Sequence, residues 1–236
     1  MNIPSNISYS PPQQRAIEVE ASPKKKEFTR KCFGEIEWGR QFGSVGEVPP
    51  LPDNIEEVLD GPCPFFKTKK VFETHLLALI PAAINQEPLT LDKLGELIAK
   101  PGRGHPTKYR YYDESPTKKA HGSTVPHKTH WVLMTKDVIP GSRAKTYEQQ
   151  KKLVAKYPAY RLPQVREAVI CIAMEYIFSQ RYIYSQDPST YTRCQETVES
   201  WPVVVGGFGS GGLYVNYYYY NYYARESNGV GFLREF

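Results

Sequence analysis

The chain has 236 residues, of which 40% are hydrophobic and 23% charged, and a formal net charge of +5. This apolar content can form a sizeable core in one large domain or two small ones, and the mild positive charge permits a polyanion partner without requiring one. The 18 tyrosines and 20 prolines exclude long helical bundles, because tyrosine favours strands and proline interrupts helices, so we predict an α+β fold with short strands.

The N-terminal 33 residues are polar and contain proline and three consecutive lysines, Lys24–Lys26. This composition predicts a flexible N-terminal arm, followed by a single α+β domain over residues 34–236. The arm lacks the basic start and apolar core of a secretory signal, and no apolar run is long enough to span a membrane. We therefore expect no membrane span, and either a cytoplasmic protein or one exported by a route that reads no Sec-type signal.

The four cysteines are spread along the chain, at Cys32, Cys63, Cys171 and Cys194. No two of them are close enough in sequence to form a zinc ribbon or the framework of a small disulfide-rich domain. The spacing therefore predicts reduced thiols.

Three elements are predicted in the first half of the domain. Asn54 is a suitable cap for a short helix over residues 54–59, because its side chain can accept a hydrogen bond from the first turn. Residues 71–84 form an apolar run interrupted by Pro81, which favours a buried strand over a helix. Thr90 can cap a second helix over residues 90–100, whose leucines and isoleucine recur on one face.

The middle of the chain predicts a long loop followed by a strand and two helices. Residues 102–128 are rich in basic and aromatic residues, and loops of this length within a domain are commonly functional or disordered. A strand is predicted over residues 130–139 and a helix over residues 147–156. A longer helix over residues 164–179 is predicted to be central and buried, with Pro163 at its first position.

The last quarter, Trp201–Phe236, predicts sheet. It contains the apolar run 203–205, a glycine cluster at 206–212, the β-prone aromatic run 213–223 and a final strand at 229–236. The segment carries no net charge. An uncharged aromatic ribbon is not stable alone in water, so earlier elements are expected to cover it.

The glycine cluster matches the spacing of a dinucleotide-binding loop, because Gly207–Gly212 fits G-x-G-x-x-G. That loop requires a helix to open at its last glycine, so that the helix N-terminus faces the pyrophosphate. Here β-prone residues follow, and the chain ends before a second βαβ unit. The pattern therefore predicts a bulged strand connection.

Four histidines, His105, His121, His127 and His130, lie in one basic stretch and are candidate zinc ligands. Their spacing matches no compact zinc motif, and the neighbouring lysines oppose a dication. We predict surface histidines, no metal and no cofactor.

Candidate catalytic groups are isolated from one another in the sequence. Cys194 and Ser142 are the potential nucleophiles, and Asp137, Glu167 and Glu175 could act as acids or bases. None lies in a recognisable nucleophile motif. An enzyme that uses Cys194 or a histidine-bound metal remains an alternative to a binding function.

Basic and aromatic residues alternate in the long loop, and further tyrosines follow near the C-terminus. The residues predicted to bind a ligand are Arg103, Lys108, Tyr109, Arg110, Tyr111, Tyr112, Tyr214, Tyr218 and Tyr220. Tyrosine and arginine are favoured at protein and sugar interfaces, so the leading hypothesis is a non-catalytic recognition module that binds a protein or a glycan. Aromatic and basic residues also stack on bases and bind phosphates, so nucleic-acid binding through residues 103–119 remains an alternative.

Two motifs near the C-terminus resemble a known family. Tyr160-Arg161-Leu162-Pro163, with Glu167 four positions after the proline, resembles the Tyr-Arg-Leu-Pro…Glu signature of formylglycine-generating-enzyme-like, or sulfatase-modifying-factor, domains. Gly231–Arg234 is similar to the terminal Gly-Phe-Arg strand of that family. The resemblance implies a C-type-lectin-like fold over about residues 130–236. The copper-binding cysteine pair of the family, and the histidine triad of its iron-dependent relatives, have no counterpart here, which implies a binding member without catalysis.

A second resemblance covers about residues 38–236. The phrases Pro62–Phe65, Lys108–Tyr112 and Trp131–Thr135 resemble an uncharacterised family of chlamydia-like intracellular bacteria. In some relatives this region follows F-box-like or leucine-rich-repeat segments. The resemblance implies a recognition domain of a host-directed protein, exported into a host cell, and brings no biochemical activity with it.

Overall fold

A computed structural model describes residues 32–217 and 224–236, all of which belong to one structural unit, Lys31–Phe236. The predicted arm, apart from its last two residues, and the tyrosine-rich residues 218–223 lie outside the described residues. Phe33, placed in the arm by the sequence, is buried and 2% exposed. Its backbone bonds to Leu77 and Leu79 at 3.0 and 2.8 Å, so the domain starts at least one residue earlier than predicted.

The described residues form an α+β fold with a mixed sheet. The helices are α1 (Glu35–Gln41), α2 (Ile55–Asp60), α3 (Val71–Thr74), α4 (Leu91–Ala99), α5 (Pro116–His121), α6 (Tyr147–Val154) and α7 (Val165–Ser179). The strands are β1 (His75–Ile80), β2 (Ala83–Ile84), β3 (Glu87–Pro88), β4 (Tyr109–Arg110), β5 (His130–Thr135), β6 (Tyr191–Val198), β7 (Trp201–Gly209), β8 (Gly212–Tyr217), β9 (Asn228–Gly229) and β10 (Leu233–Glu235). None of these helices has the length and apolar character that a bilayer crossing requires.

The core lies between two sheets and the long helix α7. A three-stranded sheet has the order β1–β5–β10, and all residues of β1 and β5 are buried. The second sheet has five strands in the order β4–β8–β7–β6–β9. Helix α7 contacts strands of both sheets, which confirms the prediction that it is the central buried helix.

Strands β6, β7 and β8 form an antiparallel meander, and two short parallel strands flank it. β4 pairs with β8 on one edge and β9 pairs with β6 on the other. β4 comes from the segment predicted as loop, over 100 positions before its partner. This pairing positions the candidate site, because it lays the basic-aromatic segment against the C-terminal tyrosines.

Several predicted boundaries are wrong for local reasons. Residues 71–84 do not form one strand, because Glu73 accepts a hydrogen bond from the Lys70 backbone N–H at 2.7 Å and closes the helical turn α3 before β1. The loop 102–128 contains β4 and also α5, which begins where Ser115 accepts from the Lys118 backbone N–H at 3.1 Å. Pro163 is not the first residue of α7, because Gln164 follows it as the N-cap.

Two other predicted strands, over residues 130–139 and 229–236, are also shorter than expected. The strand predicted over residues 130–139 ends at Thr135, whose hydroxyl donates to the Asp137 carbonyl at 2.8 Å and turns the chain. The final strand predicted over residues 229–236 is divided into β9 and β10, which belong to different sheets. The chain passes from one sheet to the other between them.

The glycine cluster forms a hairpin and a bulge, which confirms the prediction of a strand connection. β7 and β8 pair in antiparallel fashion, with a shift of register between Gly206 and Gly209. Gly206 and Gly207 have φ of 150° and 50°, which side-chain-bearing residues rarely adopt. A Cβ on Gly206 would clash with the Thr190 carbonyl oxygen, directly before β6, so glycine is required here by the close approach of that backbone.

His75 lies beside an aromatic cluster and lacks a complete set of hydrogen bonds. Its Nδ1 lies 2.9 Å from the Thr74 hydroxyl, whereas Nε2 is buried without a partner among the described residues. The rings of Phe65 and Tyr160 are each 6.0 Å away. Burial therefore lowers the pKa of His75 from 6.5 to about 4.

We expect His75 to make the free energy of unfolding depend on pH. Between pH 6.5 and 4 the unfolded chain takes up a proton that the folded chain excludes, so stability falls as the pH falls, by up to about 3 kcal/mol. Urea unfolding at several pH values in this range should show the fall in the free energy of unfolding for the wild type but not for His75→Gln. Parallel curves for the two proteins over this pH range would contradict the assignment.

Candidate functional site

Strand β4 brings three of the nine predicted binding residues together at one edge of the five-stranded sheet. Arg110 pairs with Tyr214 in the parallel β4–β8 register. Tyr111 follows directly after the strand. These three residues define the tyrosine–arginine surface, and the pairing joins the two segments that the sequence predicted to form one binding face.

The Arg110 guanidinium is held at the centre of this surface. Its central carbon lies 5.6 Å from the ring centre of Tyr111 and 5.8 Å from that of Tyr214. The two terminal nitrogens each donate at 3.2 Å, one to the Gln186 side chain and one to the Gly207 carbonyl. A guanidinium in this position combines a cation with two aromatic faces, which favours a rigid and specific contact surface.

Tyr111 is exposed in an unusual backbone conformation. Its side chain is 76% accessible, the most exposed of the large hydrophobic residues described. Its φ of 56° lies in the left-handed region, which is uncommon for bulky residues and costs about 1–3 kcal/mol. The fold therefore maintains a strained turn that directs an aromatic ring into solvent, a feature that is frequent at binding sites.

Tyr109 and Tyr112 correct the predicted site, because both rings face the interior. The Tyr109 hydroxyl donates to the Leu91 carbonyl at 3.1 Å, and the Tyr112 hydroxyl donates to Asp92 at 2.9 Å. Their rings meet edge to face at 4.8 Å, and burial raises the pKa of both hydroxyls. They anchor the segment that presents Tyr111 instead of contacting a ligand.

Of the other predicted binding residues, two are exposed and two lie outside the described residues. Lys108 is exposed beside the surface, and its carbonyl accepts from the Leu213 backbone N–H at 2.8 Å. Arg103 is exposed, and its backbone N–H donates to Gln41 at 2.7 Å. Tyr218 and Tyr220 lie outside the described residues.

A second feature, the polar cleft, lies between residues 121–130 and the start of α7 and has a volume of about 270 Å³. Glu167, whose side chain is 0% exposed, lies at its base. Its carboxylate accepts from both terminal nitrogens of Arg161 at 2.7 and 2.6 Å, from His130 Nε2 at 2.8 Å and from the Gln164 backbone N–H at 2.7 Å. Burial alone would raise the pKa of Glu167, but the hydrogen bonds from Arg161 and His130 lower it to about 2.

The network continues toward solvent through Glu235. Its carboxylate accepts from Arg161 at 2.6 Å and from the Lys128 ammonium at 2.5 Å. His130, Glu167 and Glu235 offer ligand atoms within 4.8 Å of one another, a spacing that could hold a metal ion. The two carboxylates are already neutralised by Arg161 and Lys128, however, so a dication would have to displace these cations. The geometry favours an ion-pair network over a metal centre.

The four histidines named as candidate zinc ligands lie in different environments. His130 is not the surface residue predicted, because its side chain is only 7% exposed and bonded to Glu167. His121 and His127 line the polar cleft, and His121 Nε2 lies 3.0 Å from the Thr197 carbonyl. His105 packs against the Tyr176 ring at 6.1 Å.

Neither predicted nucleophile is placed to react. Cys194 is 0% exposed, and burial raises the pKa of its thiol well above the ordinary value. Ser142 is also 0% exposed, and its hydroxyl accepts from the Val230 backbone N–H at 3.2 Å. All four cysteines are unpaired in the structure.

The predicted acid and base groups are structural or solvated. Glu175 is 1% exposed and is bonded to Ser179 at 3.0 Å and to Arg181. Asp137 is exposed and accepts from the Val138 backbone N–H at 2.7 Å. Glu167 is enclosed by the ion-pair network of the polar cleft. These three carboxylates therefore lie in separate environments and do not form an acid–base pair.

Some residues of these two sites could have been found from the sequence and others could not. Glu167 lies three positions after Gln164, the N-cap of α7. A Glu at this position commonly accepts a hydrogen bond from the N-cap backbone N–H, so the sequence did contain a signal for a structural role of Glu167. Glu235 and Lys128 join the network through strand pairing across the chain, which no local pattern records. Comparison with known protein families, curated proteins and solved structures gave no match for this chain.

Proposed function

We propose that this chain is a non-catalytic recognition module that binds a protein or glycan partner through the tyrosine–arginine surface. The observation that carries the proposal is the Arg110 guanidinium 5.6 and 5.8 Å from the ring centres of Tyr111 and Tyr214, with the Tyr111 side chain 76% exposed. Tyrosine and arginine dominate binding hot spots because they offer large, stiff and amphipathic contact areas. An aromatic ring beside a guanidinium equally suits the apolar face and hydroxyls of a sugar.

The proposed architecture of residues 130–236 is C-type-lectin-like. The two motifs that carry this resemblance lie next to each other, since the Arg161 backbone exchanges hydrogen bonds of 2.8 and 2.9 Å with Leu233. The mixed sheet and the position of β10 beside β5 are compatible with that architecture. A host-directed role, as implied by the resemblance to proteins of chlamydia-like bacteria, belongs to the same proposal.

The nucleic-acid and enzyme alternatives are less well supported by the geometry. A single-strand binder needs several stacking rings, and two of the tyrosines in residues 103–119, Tyr109 and Tyr112, face inward. Lys118 of the same segment is paired with Asp113 at 3.0 Å. An enzyme based on Cys194 would need access to a thiol that is completely buried.

Glycan and protein arrays probed with the full chain should identify a ligand in one of the two classes, and Tyr111→Ala should weaken binding to it by about 30-fold or more. Tyr111→Phe, which keeps the ring, should bind almost as the wild type does. Phe72→Ala is the matched control, because Phe72 is an exposed aromatic residue on α3, outside this surface. We expect Tyr111→Ala to fold normally, since the side chain is largely exposed.

Two outcomes would contradict the proposal. One is the absence of binding on both arrays, and the other is an affinity of Tyr111→Ala equal to that of the wild type. Binding to single-stranded nucleic acid that falls steeply with salt would instead favour the nucleic-acid alternative.

A further inference from the structure

One cation and one carboxylate that line the polar cleft are not paired in its ion-pair network. Three carboxylates and three permanent cations line the cleft. Arg161 is paired with Glu167, and Lys128 with Glu235. Arg166 and Glu196 remain, and no nitrogen of Arg166 lies within 4.0 Å of a carboxylate oxygen in the described part of the chain.

Arg166 has donors that the described chain does not use. One terminal nitrogen donates to the Pro81 carbonyl at 2.5 Å, and its guanidinium makes no other hydrogen bond with residues 32–217 or 224–236. Burial lowers the pKa of Arg166 to about 10, although Glu167 and Glu196 act in the opposite direction. Placing a guanidinium in a cleft without a direct carboxylate partner costs free energy, and an acceptor from outside the chain would recover it.

Glu196 offers the complementary acceptor. One of its carboxylate oxygens accepts from the Val165 backbone N–H at 3.0 Å, at the start of α7. No lysine, arginine or histidine nitrogen of the described residues lies within 4.0 Å of its carboxylate. Burial raises the pKa of Glu196, although its backbone hydrogen bonds and the nearby His121 act in the opposite direction.

We propose that the polar cleft binds a small zwitterion of the α-amino acid class, with the ligand carboxylate on Arg166 and the ligand ammonium on Glu196. The planar guanidinium suits a carboxylate, which it can contact through two parallel hydrogen bonds. A phosphate dianion is disfavoured by the Glu196 carboxylate, which no cation pairs within 4.0 Å among the described residues, and a simple cation is disfavoured by Arg166. The volume of about 270 Å³ restricts the ligand to a small molecule.

This site shares no residue with the tyrosine–arginine surface, so the inference does not depend on the proposed function. Arg166 and Glu196 come from α7 and β6, whereas Arg110, Tyr111 and Tyr214 come from the β4–β8 edge. A variant of one site is therefore expected to leave ligand binding at the other unchanged.

The test is calorimetric titration of the full chain with each of the twenty amino acids, and with propionate and propylamine as probes that carry only one of the two charged groups. At least one amino acid should bind with a stoichiometry of one, and at least 10-fold more tightly than either single-charge probe. Arg166→Gln and Glu196→Gln should each weaken that binding by 10-fold or more. Tyr111→Ala should bind it as the wild type does, which separates this test from that of the recognition surface.

The inference is overturned if no amino acid binds at millimolar concentration, or if propionate binds as tightly as the best amino acid. Unchanged affinity in Arg166→Gln would also overturn it. If Arg166→Gln does not fold, Arg166→Lys retains the charge but not the planar fork, and it should still weaken binding by several fold. The wild-type titrations decide the question even without the variants.

Discussion

Replacing Arg161 with alanine is expected to reduce the free energy of unfolding by about 3–5 kcal/mol, because it leaves a buried charge without its partner. Glu167 is 0% exposed and receives two of its four hydrogen bonds from the Arg161 guanidinium. After the substitution, His130 and the Gln164 backbone N–H would remain, and neither replaces the bidentate ion pair. Urea unfolding at pH 7 measures the loss.

A matched control lies at the outer end of the same network. Lys128 is 67% exposed and bonds Glu235, which is itself 29% exposed. Lys128→Ala removes a solvent-screened ion pair and should cost less than about 1 kcal/mol. Similar losses for the two variants would contradict the view that burial of Glu167 determines the effect.

The pH dependence gives an independent check on Arg161. The pKa of Glu167 is lowered from 4.5 to about 2 in the folded chain, so the stability contributed by its carboxylate is present above pH 4.5 and is lost as the pH falls toward 2. The difference in stability between the wild type and Arg161→Ala should therefore narrow across this range. A constant difference from pH 7 to pH 3 would show that Arg161 stabilises the fold in another way.

Local patterns in the sequence predicted α2, α4, α6 and α7, because these helices are specified by neighbouring residues, but they did not predict α1, α3 and α5. Thr90, identified as a cap, and Thr146, which directly precedes the helix predicted over residues 147–156, accept hydrogen bonds from the Lys93 and Gln149 backbone N–H groups at 3.1 and 3.2 Å. The apolar face of α7 similarly follows from residue spacing within the helix. These elements needed no information from distant parts of the chain.

The pairing of short strands was not predictable in the same way. β4 has two residues and is a strand only because the Leu213 backbone N–H donates to the Lys108 carbonyl and continues the ladder, a contact between residues far apart in sequence. The sequence therefore grouped Tyr109, Tyr111 and Tyr112 as equivalent binding residues. The left-handed backbone at Tyr111 separates them, directing its ring outward while the other two face the interior.

The pairing of charged residues in the polar cleft was likewise not predictable from the sequence. A sequence shows that Arg166 and Glu196 are charged, but not which charges remain unpaired after folding. Arg161 and Glu167 are six positions apart on either side of Pro163, so their pairing is nearly local. The role of Arg166 emerges only after Glu167 has been assigned to Arg161, which requires the three-dimensional arrangement.

Gly206→Ala is expected to destabilise the fold by about 2–6 kcal/mol. The backbone of Gly206 has a φ of 150°, a region essentially restricted to glycine, which costs about 1–3 kcal/mol for alanine. The new Cβ would also lie 2.3 Å from the Thr190 carbonyl oxygen, a backbone atom that cannot rotate away, and overpacking adds about 1–3 kcal/mol. Chemical denaturation of the purified variant provides the measurement.

Gly46→Ala separates these two contributions. Gly46 also has a positive φ, 74°, but a Cβ there would meet no atom within 4 Å, so only the backbone cost of about 1–2 kcal/mol is expected. The excess loss in Gly206→Ala then measures the close approach of the Thr190 carbonyl to Gly206 in β7. A Gly206→Ala protein as stable as the wild type would contradict this close approach.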